Sequence, residues 1–297
     1  MVMMNRRDFL GSAGLLATSS QAQNQPSRAS QSKITSSVVL DILGGTIDEQ
    51  IEIAARAGCE SMQMLAQYAT WSDPEVARVR KLCESHRIGM HALLAQADWK
   101  KRPVSIVDSA HREGFLADVR NAVVFAQKLG ISQIIVTSGL SPAGRTQQEQ
   151  YASLTEGIKR AADLVAAAKL TLLVEPLNSL VDHAGCFLTS CVEGHKLVRE
   201  INHPGVRLLF DLYHEQVQRG NIIRTFAEAA PLVALVHVAD NPGRNDPGSG
   251  EINFASVYRA IQKSGYTGRI AMEYRPLGDP AESLTKAISG MRSALAA

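Results

Sequence analysis

The sequence predicts a (β/α)8 TIM barrel over residues 32–297, preceded by a separate leader and linker over 1–31. Three observations carry this. Eight short apolar runs alternate with eight segments of helical periodicity. The runs are apolar throughout, as in parallel strands buried on both faces. The remaining length, about 265 residues, is what eight such units take. A doubly wound open sheet shares the alternation, but no GxGxxG follows the first strand, which argues against its dinucleotide-binding form.

The units follow in order. A β-branched strand over 37–41 leads to a helix over 46–57, with Ile47, Ile51, Ala54 and Ala55 on one face. Thr46 with Glu49 three residues on makes a capping box, and Gly58 stops the helix. The second unit places a strand at 61–64 and a helix over 74–86, whose first turn accepts Pro74. The third has a strand at 88–94, a longer loop, and a helix over 109–129 closed by Gly130. The fourth and fifth pair strands 133–137 and 171–175 with helices 147–168 and 189–200. Strands 206–211, 235–238 and 270–273 precede helices 225–230, 254–263 and 280–295.

The leader reads NRRDFLGSAGLLATSSQA. Arg6-Arg7, Phe9-Leu10, a small-residue apolar stretch and Ser20-Gln21-Ala22 come in the order of a twin-arginine export signal, with cleavage expected after Ala22. That order predicts a periplasmic or exported protein; without the signal the chain is expected in the cytoplasm. Residues 23–31 form a polar linker. The four cysteines, Cys59, Cys83, Cys186 and Cys191, contain no CxxC, and none is assigned a function. With 31 basic and 29 acidic residues, the chain of 297 carries a net charge of +2. Such balance gives no electrostatic footprint for nucleic acid or an anionic membrane. No run reaches the ~18 apolar residues of a membrane span.

Four strands end in side chains able to hold a metal. LTLLVEPLN reaches Glu175, VRLLFDLYH reaches Asp211, LVALVHVAD carries His237, and RIAMEYRP reaches Glu273. These belong to the fifth to eighth units, whose C-terminal ends are neighbours on the rim where this architecture places its active sites. Carboxylates are rarely buried unless paired or coordinating a cation. Three of them converging with one imidazole call for one divalent ion. The donor set suits Mn2+, Mg2+ or Co2+, and Zn2+ also fits.

VEPLN, FDLYHEQ, PGRNDPGSGEIN and EYRP resemble the hydroxypyruvate isomerase family of the xylose isomerase-like barrels, whose relatives include ketose 3-epimerases and endonuclease IV. The resemblance runs from about residue 38 to 278, and PAGRTQQEQY fits the family's loop after the fourth strand. It implies one divalent ion on the rim. It also implies that Glu175 and Glu273 are both the proton-transferring pair and metal ligands, with Asp211 and His237 completing the shell. His214 is implied to bind a substrate oxygen. Arg244, between Gly243 and Gly248 in a loop expected to be mobile, can grip a carboxylate or a polyol end. Glu251 is a further substrate-side candidate, or an anchor for Arg244. Asn178 and Asp182 are expected to orient Glu175.

Hydroxypyruvate isomerases commonly carry glutamine where His237 stands, whereas ketose 3-epimerases carry histidine. The loop motifs therefore point to an isomerase of hydroxypyruvate or a similar small hydroxy-carbonyl compound, and this ligand points to a sugar epimerase. Endonuclease IV uses a multi-zinc cluster with more histidines than this chain supplies beside Asp211, His214 and His237. A non-catalytic sugar-binding barrel is the remaining class. Relatives associate through rim loops, so a homo-oligomer is also an expectation of the resemblance.

Overall fold

Eight parallel strands close on themselves in chain order in the computed structural model, which describes residues 34–96 and 104–297. The expected export signal and its linker lie outside the described residues. The strands are β1 (Thr35–Val39), β2 (Ser61–Met64), β3 (Gly89–Leu94), β4 (Gln133–Thr137), β5 (Thr171–Glu175), β6 (Val206–Asp211), β7 (Val233–Val238) and β8 (Arg269–Met272). Ser37 stands opposite Ala271 and Val38 opposite Met272, which joins β8 to β1 and leaves no sheet edge. That closure excludes the open doubly wound alternative.

The helices are α1 (Ile47–Arg56), α2 (Asp73–His86), α3 (Arg112–Leu129), α4 (Gln147–Ala167), α5 (Cys191–Ile201), α6 (Leu212–Gln218), α7 (Ile222–Ala229), α8 (Phe254–Lys263) and α9 (Pro280–Ala296). Thr46 caps α1 as expected: Thr46 Oγ1 accepts from the Glu49 amide, and Glu49 Oε2 accepts from the Thr46 amide at 2.7 Å. Thr146 and Glu149 repeat the device on α4. Each such cap contributes about 1 kcal/mol. The sixth unit differs from expectation. Its helix is two helices, and the first, α6, starts directly after β6 because the Asp211 side chain caps it. Gly220 and Asn221, both at positive φ, turn the chain into α7. Among the described residues, no helix is long and apolar enough to cross a membrane.

One apolar core lies between the sheet and the helices. A second fills the barrel: Ala92, Ile135, Leu173, Leu209, Leu235 and Ala271 form an inner floor. Burying each larger member stabilises by about 1.5–3 kcal/mol. Side chains along a strand alternate between faces, so residues two apart share one. Two positions beyond Leu173, Leu209, Leu235 and Ala271 stand Glu175, Asp211, His237 and Glu273. The same parity that builds the floor aims all four polar groups into the barrel mouth.

Candidate active site

The four side chains meet above this floor. Each offers one ligand atom, and these atoms lie within 4.8 Å of one another. His237 Nδ1 is central: 2.7 Å from Glu273 Oε2, 3.3 Å from Glu175 Oε1 and 3.9 Å from Asp211 Oδ2. Glu273 lies one residue beyond β8, but its amide donates to Val238 O at 3.0 Å and so keeps the strand's alignment.

Each group is held by a partner outside the cluster. Asp211 divides its carboxylate. Oδ1 accepts from the amides of Tyr213 (2.8 Å) and His214 (3.0 Å) at the start of α6, leaving Oδ2 to face the cluster. His237 Nε2 donates to Gln63 Oε1 at 2.9 Å. An amide oxygen only accepts, so Nε2 carries a proton, and Nδ1 is the ring nitrogen left to face the cluster and to bind a ligand. Arg244 reaches in from the loop after β7, with Nη2 3.0 Å from Glu273 Oε2 and 3.8 Å from Asp211 Oδ2. Its guanidinium lies over the Tyr213 ring, 5.6 Å from the centroid.

Burial raises the pKa values of Glu175 and Asp211. Burial acts the same way on Glu273, but the charges of Arg244 and His237 prevail and hold its carboxyl below the usual range. Burial lowers the His237 pKa, yet the carboxylates of Glu273 and Glu175 outweigh it and push the imidazole up to about 10. The cluster thus demands positive charge at its centre. His237 Nδ1 is buried and forms no hydrogen bond of normal geometry, although Glu273 Oε2 lies 2.7 Å away. Orphaned buried polar atoms are costly. An imidazole nitrogen and three carboxylates facing one point are a donor set for a divalent cation. The residues present therefore fit a metal ion.

Beside the cluster, His214 is 1% exposed, and its Nε2 lies 3.6 Å from Asp211 Oδ2. Burial holds the His214 pKa well below its usual value, and the charge of Arg244 adds to this. Asn178 contacts His214 rather than Glu175: its Nδ2 donates to His214 Nδ1 at 2.7 Å and to Asp182 Oδ2 at 2.8 Å. Asp182 also accepts from the Tyr213 hydroxyl at 2.7 Å. The expectation that Asn178 and Asp182 orient Glu175 is replaced by this network.

Glu251 is not brought into the cluster. It is exposed, and its Oε1 accepts from Asn241 Nδ2 (2.6 Å) and Gln216 Nε2 (3.1 Å), tying the loop to α6. The loop carrying Arg244 is fastened more firmly by Asp240, a residue that sequence reasoning passed over. Buried completely, Asp240 accepts from the amides of Asn241, Gly248, Gly250 and Ile252. A Cβ on Gly250 would fall 2.2 Å from Asn241 O, so the turn needs glycine there. The loop thus lies folded over the rim with Arg244 inserted beside Glu273 and Asp211. Gln63 was also missed. Its signal was a polar residue at an inward position of β2.

The model of the xylose isomerase-like TIM barrel family matches residues 51–294. The hydroxypyruvate isomerase of Escherichia coli (strain K12) is 29% identical over 243 residues, covering 80% of this chain and 92% of that protein. Among solved structures, AP endonuclease, family 2 from Brucella melitensis superposes with a TM-score of 0.76 at 25% identity, over 85% of this chain and 96% of that one. D-psicose 3-epimerase, solved in the presence of D-fructose, gives 0.77 at 20% identity over 89% and 100%, a likeness of fold. The chain belongs to the xylose isomerase-like TIM barrel family.

Proposed function

We propose that the protein is a metal-dependent isomerase of hydroxypyruvate or a similar small hydroxy-carbonyl compound, working by proton transfer through an enediolate. The observation that carries this is the buried cluster of Glu175, Asp211, His237 and Glu273, with the two glutamates 3.3 and 2.7 Å from one imidazole nitrogen. Similarity to hydroxypyruvate isomerase over most of both chains supports the substrate class.

In this reading the four residues hold one divalent ion, which when bound supplies Lewis-acid stabilisation of a substrate oxyanion. One glutamate removes the hydrogen from the hydroxyl-bearing carbon. The electron pair moves into the enediolate, and the neighbouring carbon takes a proton already held by the other glutamate. The hydroxyl proton passes to the former carbonyl oxygen, and the two glutamates exchange protons with solvent before the next turnover. Positioned acid–base groups of this kind contribute ~10²–10⁴-fold. Arg244 presents a planar fork suited to a substrate carboxylate, and His214 faces the same space as a neutral donor.

A second reading, 3-epimerisation of a free ketose, is favoured by one observation: His237 stands where that branch of the family carries histidine. There the same two glutamates serve opposite faces of one carbon. Purified protein loaded with Mn2+ or Mg2+ should interconvert hydroxypyruvate and tartronate semialdehyde and lose activity on chelation. Glu273→Gln should lower turnover by ~10²–10⁴-fold. Product stereochemistry read by NMR over a panel of hydroxy acids and ketoses separates the readings. Bound metal with no turnover of any panel member refutes both.

A further inference from the structure

The geometry points to Asn178 as a positioning residue that holds His214 as its Nε2–H tautomer, so that a fixed neutral donor faces the substrate space. Four hydrogen bonds fix the Asn178 amide. Its Oδ1 accepts from the amides of Val181 (3.1 Å) and Asp182 (3.0 Å), and its Nδ2 donates to Asp182 Oδ2 and His214 Nδ1. Reversing the amide would set Nδ2 against two N–H donors and Oδ1 against a carboxylate. That leaves one orientation, with a hydrogen of Nδ2 aimed at His214 Nδ1. A nitrogen receiving an N–H carries none itself, so the ring's proton sits on Nε2.

Asn178 and His214 are both buried, which shields this bond from bulk solvent. His214 Nε2 is buried and makes no protein hydrogen bond. Its nearest anionic neighbour is Asp211 Oδ2, at 3.6 Å, a length at which the pair is not hydrogen-bonded. The donor is therefore held in reserve beside the cluster. The chemistry it suits is an oxygen that gains negative charge during reaction, for which a fixed neutral donor needs no reorganisation. The imidazolium form is excluded by the same contact, since it would set Nδ1–H against the Asn178 N–H. Only the role of His214 toward substrate rests on the isomerase reading; the tautomer does not.

The test uses full-length protein selectively labelled with 15N-histidine and loaded with diamagnetic Mg2+. Two-bond proton–nitrogen correlation reads the protonation of each ring nitrogen, and loss of a signal set in His214→Gln identifies the residue. His214 is expected to show a bare Nδ1 and a protonated Nε2. A proton on Nδ1 in the parent protein overturns the proposal. Asn178→Asp replaces the donor with an acceptor and should draw a proton to Nδ1, with kcat lowered about 100-fold and KM little changed. An unaltered tautomer in that variant also overturns it, because a merely structural asparagine would shift the melting temperature and leave the ring nitrogens as they were. If Asn178→Asp does not fold, the parent spectrum decides alone. The expected tautomer with no turnover of any substrate upholds the lock and sinks the isomerase reading.

Discussion

Gln63→Leu removes one hydrogen bond and little volume. Gln63 is 1% exposed, and its Oε1 accepts from His237 Nε2 across the barrel. In a metal-bound state Nδ1 is the ligand atom, so Nε2 must keep its proton and, in the variant, would point it at a methyl group. A buried donor left unsatisfied costs about 1–3 kcal/mol. In the metal-free variant the doubly protonated ring is not tethered by a metal and can turn its unpaired N–H toward the carboxylates, which escapes most of that cost. The penalty therefore falls on the metal-bound state and should weaken divalent-ion affinity by about 5- to 150-fold. That range brackets the ~10–100-fold seen when partners of metal-bound histidines are removed. Competition against a chromogenic chelator with Mn2+ measures it directly. Gln63→Glu, which retains an acceptor, should bind at least as tightly as the parent. Equal affinity in Gln63→Leu and the parent would refute the argument that Gln63 orients His237.

Asp211→Ala and Asp211→Asn should both abolish stoichiometric metal binding. Only the alanine also removes the cap of α6, so calorimetry on the metal-free variants should place it about 1 kcal/mol below the asparagine. The His237 pKa of about 10 means that metal must displace a proton at neutral pH. A raised pKa keeps the competing proton bound below that value, so affinity should rise with pH from ~7 towards ~10, about tenfold per unit. Titration in two buffers of different ionisation enthalpy should count about one proton released, and none released would contradict the assignment. Export is a proposal resting on the leader alone: Arg6→Lys with Arg7→Lys should retain the protein in the cytoplasmic fraction, and unchanged periplasmic recovery would remove the twin-arginine reading.

The barrel was legible because strand and helix periods alternate regularly, and because Thr46, Glu49, Gly58 and Gly130 mark helix ends by local chemistry. The cluster was legible for a related reason. Each of its members stands at or near the end of an apolar run, and chain order around a closed barrel makes the last four strands neighbours. What stayed hidden depends on long-range contact. Gln63 and His237 are 174 residues apart and meet only because the barrel closes. Asn178 sits three residues from Glu175, which suggested the wrong partner, while its true partner comes from the next unit. Asp240 looked like one more polar residue in a loop. Its four amide donors are gathered by the turn itself, and no periodicity announces them. The split of the sixth helix was missed because α6 is short and its cap is itself a cluster member.

The floor of Ala92, Ile135, Leu173, Leu209, Leu235 and Ala271 has a bearing on isotope experiments. A hydrogen lifted from substrate onto Glu175 or Glu273 stands over apolar side chains, Leu173 two positions before Glu175 and Ala271 two before Glu273. It can return to the substrate or exchange with solvent through the mouth, past Arg244 and Tyr213. The share of deuterium kept in substrate recovered after partial reaction therefore gauges how well those two side chains seal the rim during a turnover. It is a clock on exchange, set by packing and independent of how fast the proton itself moves.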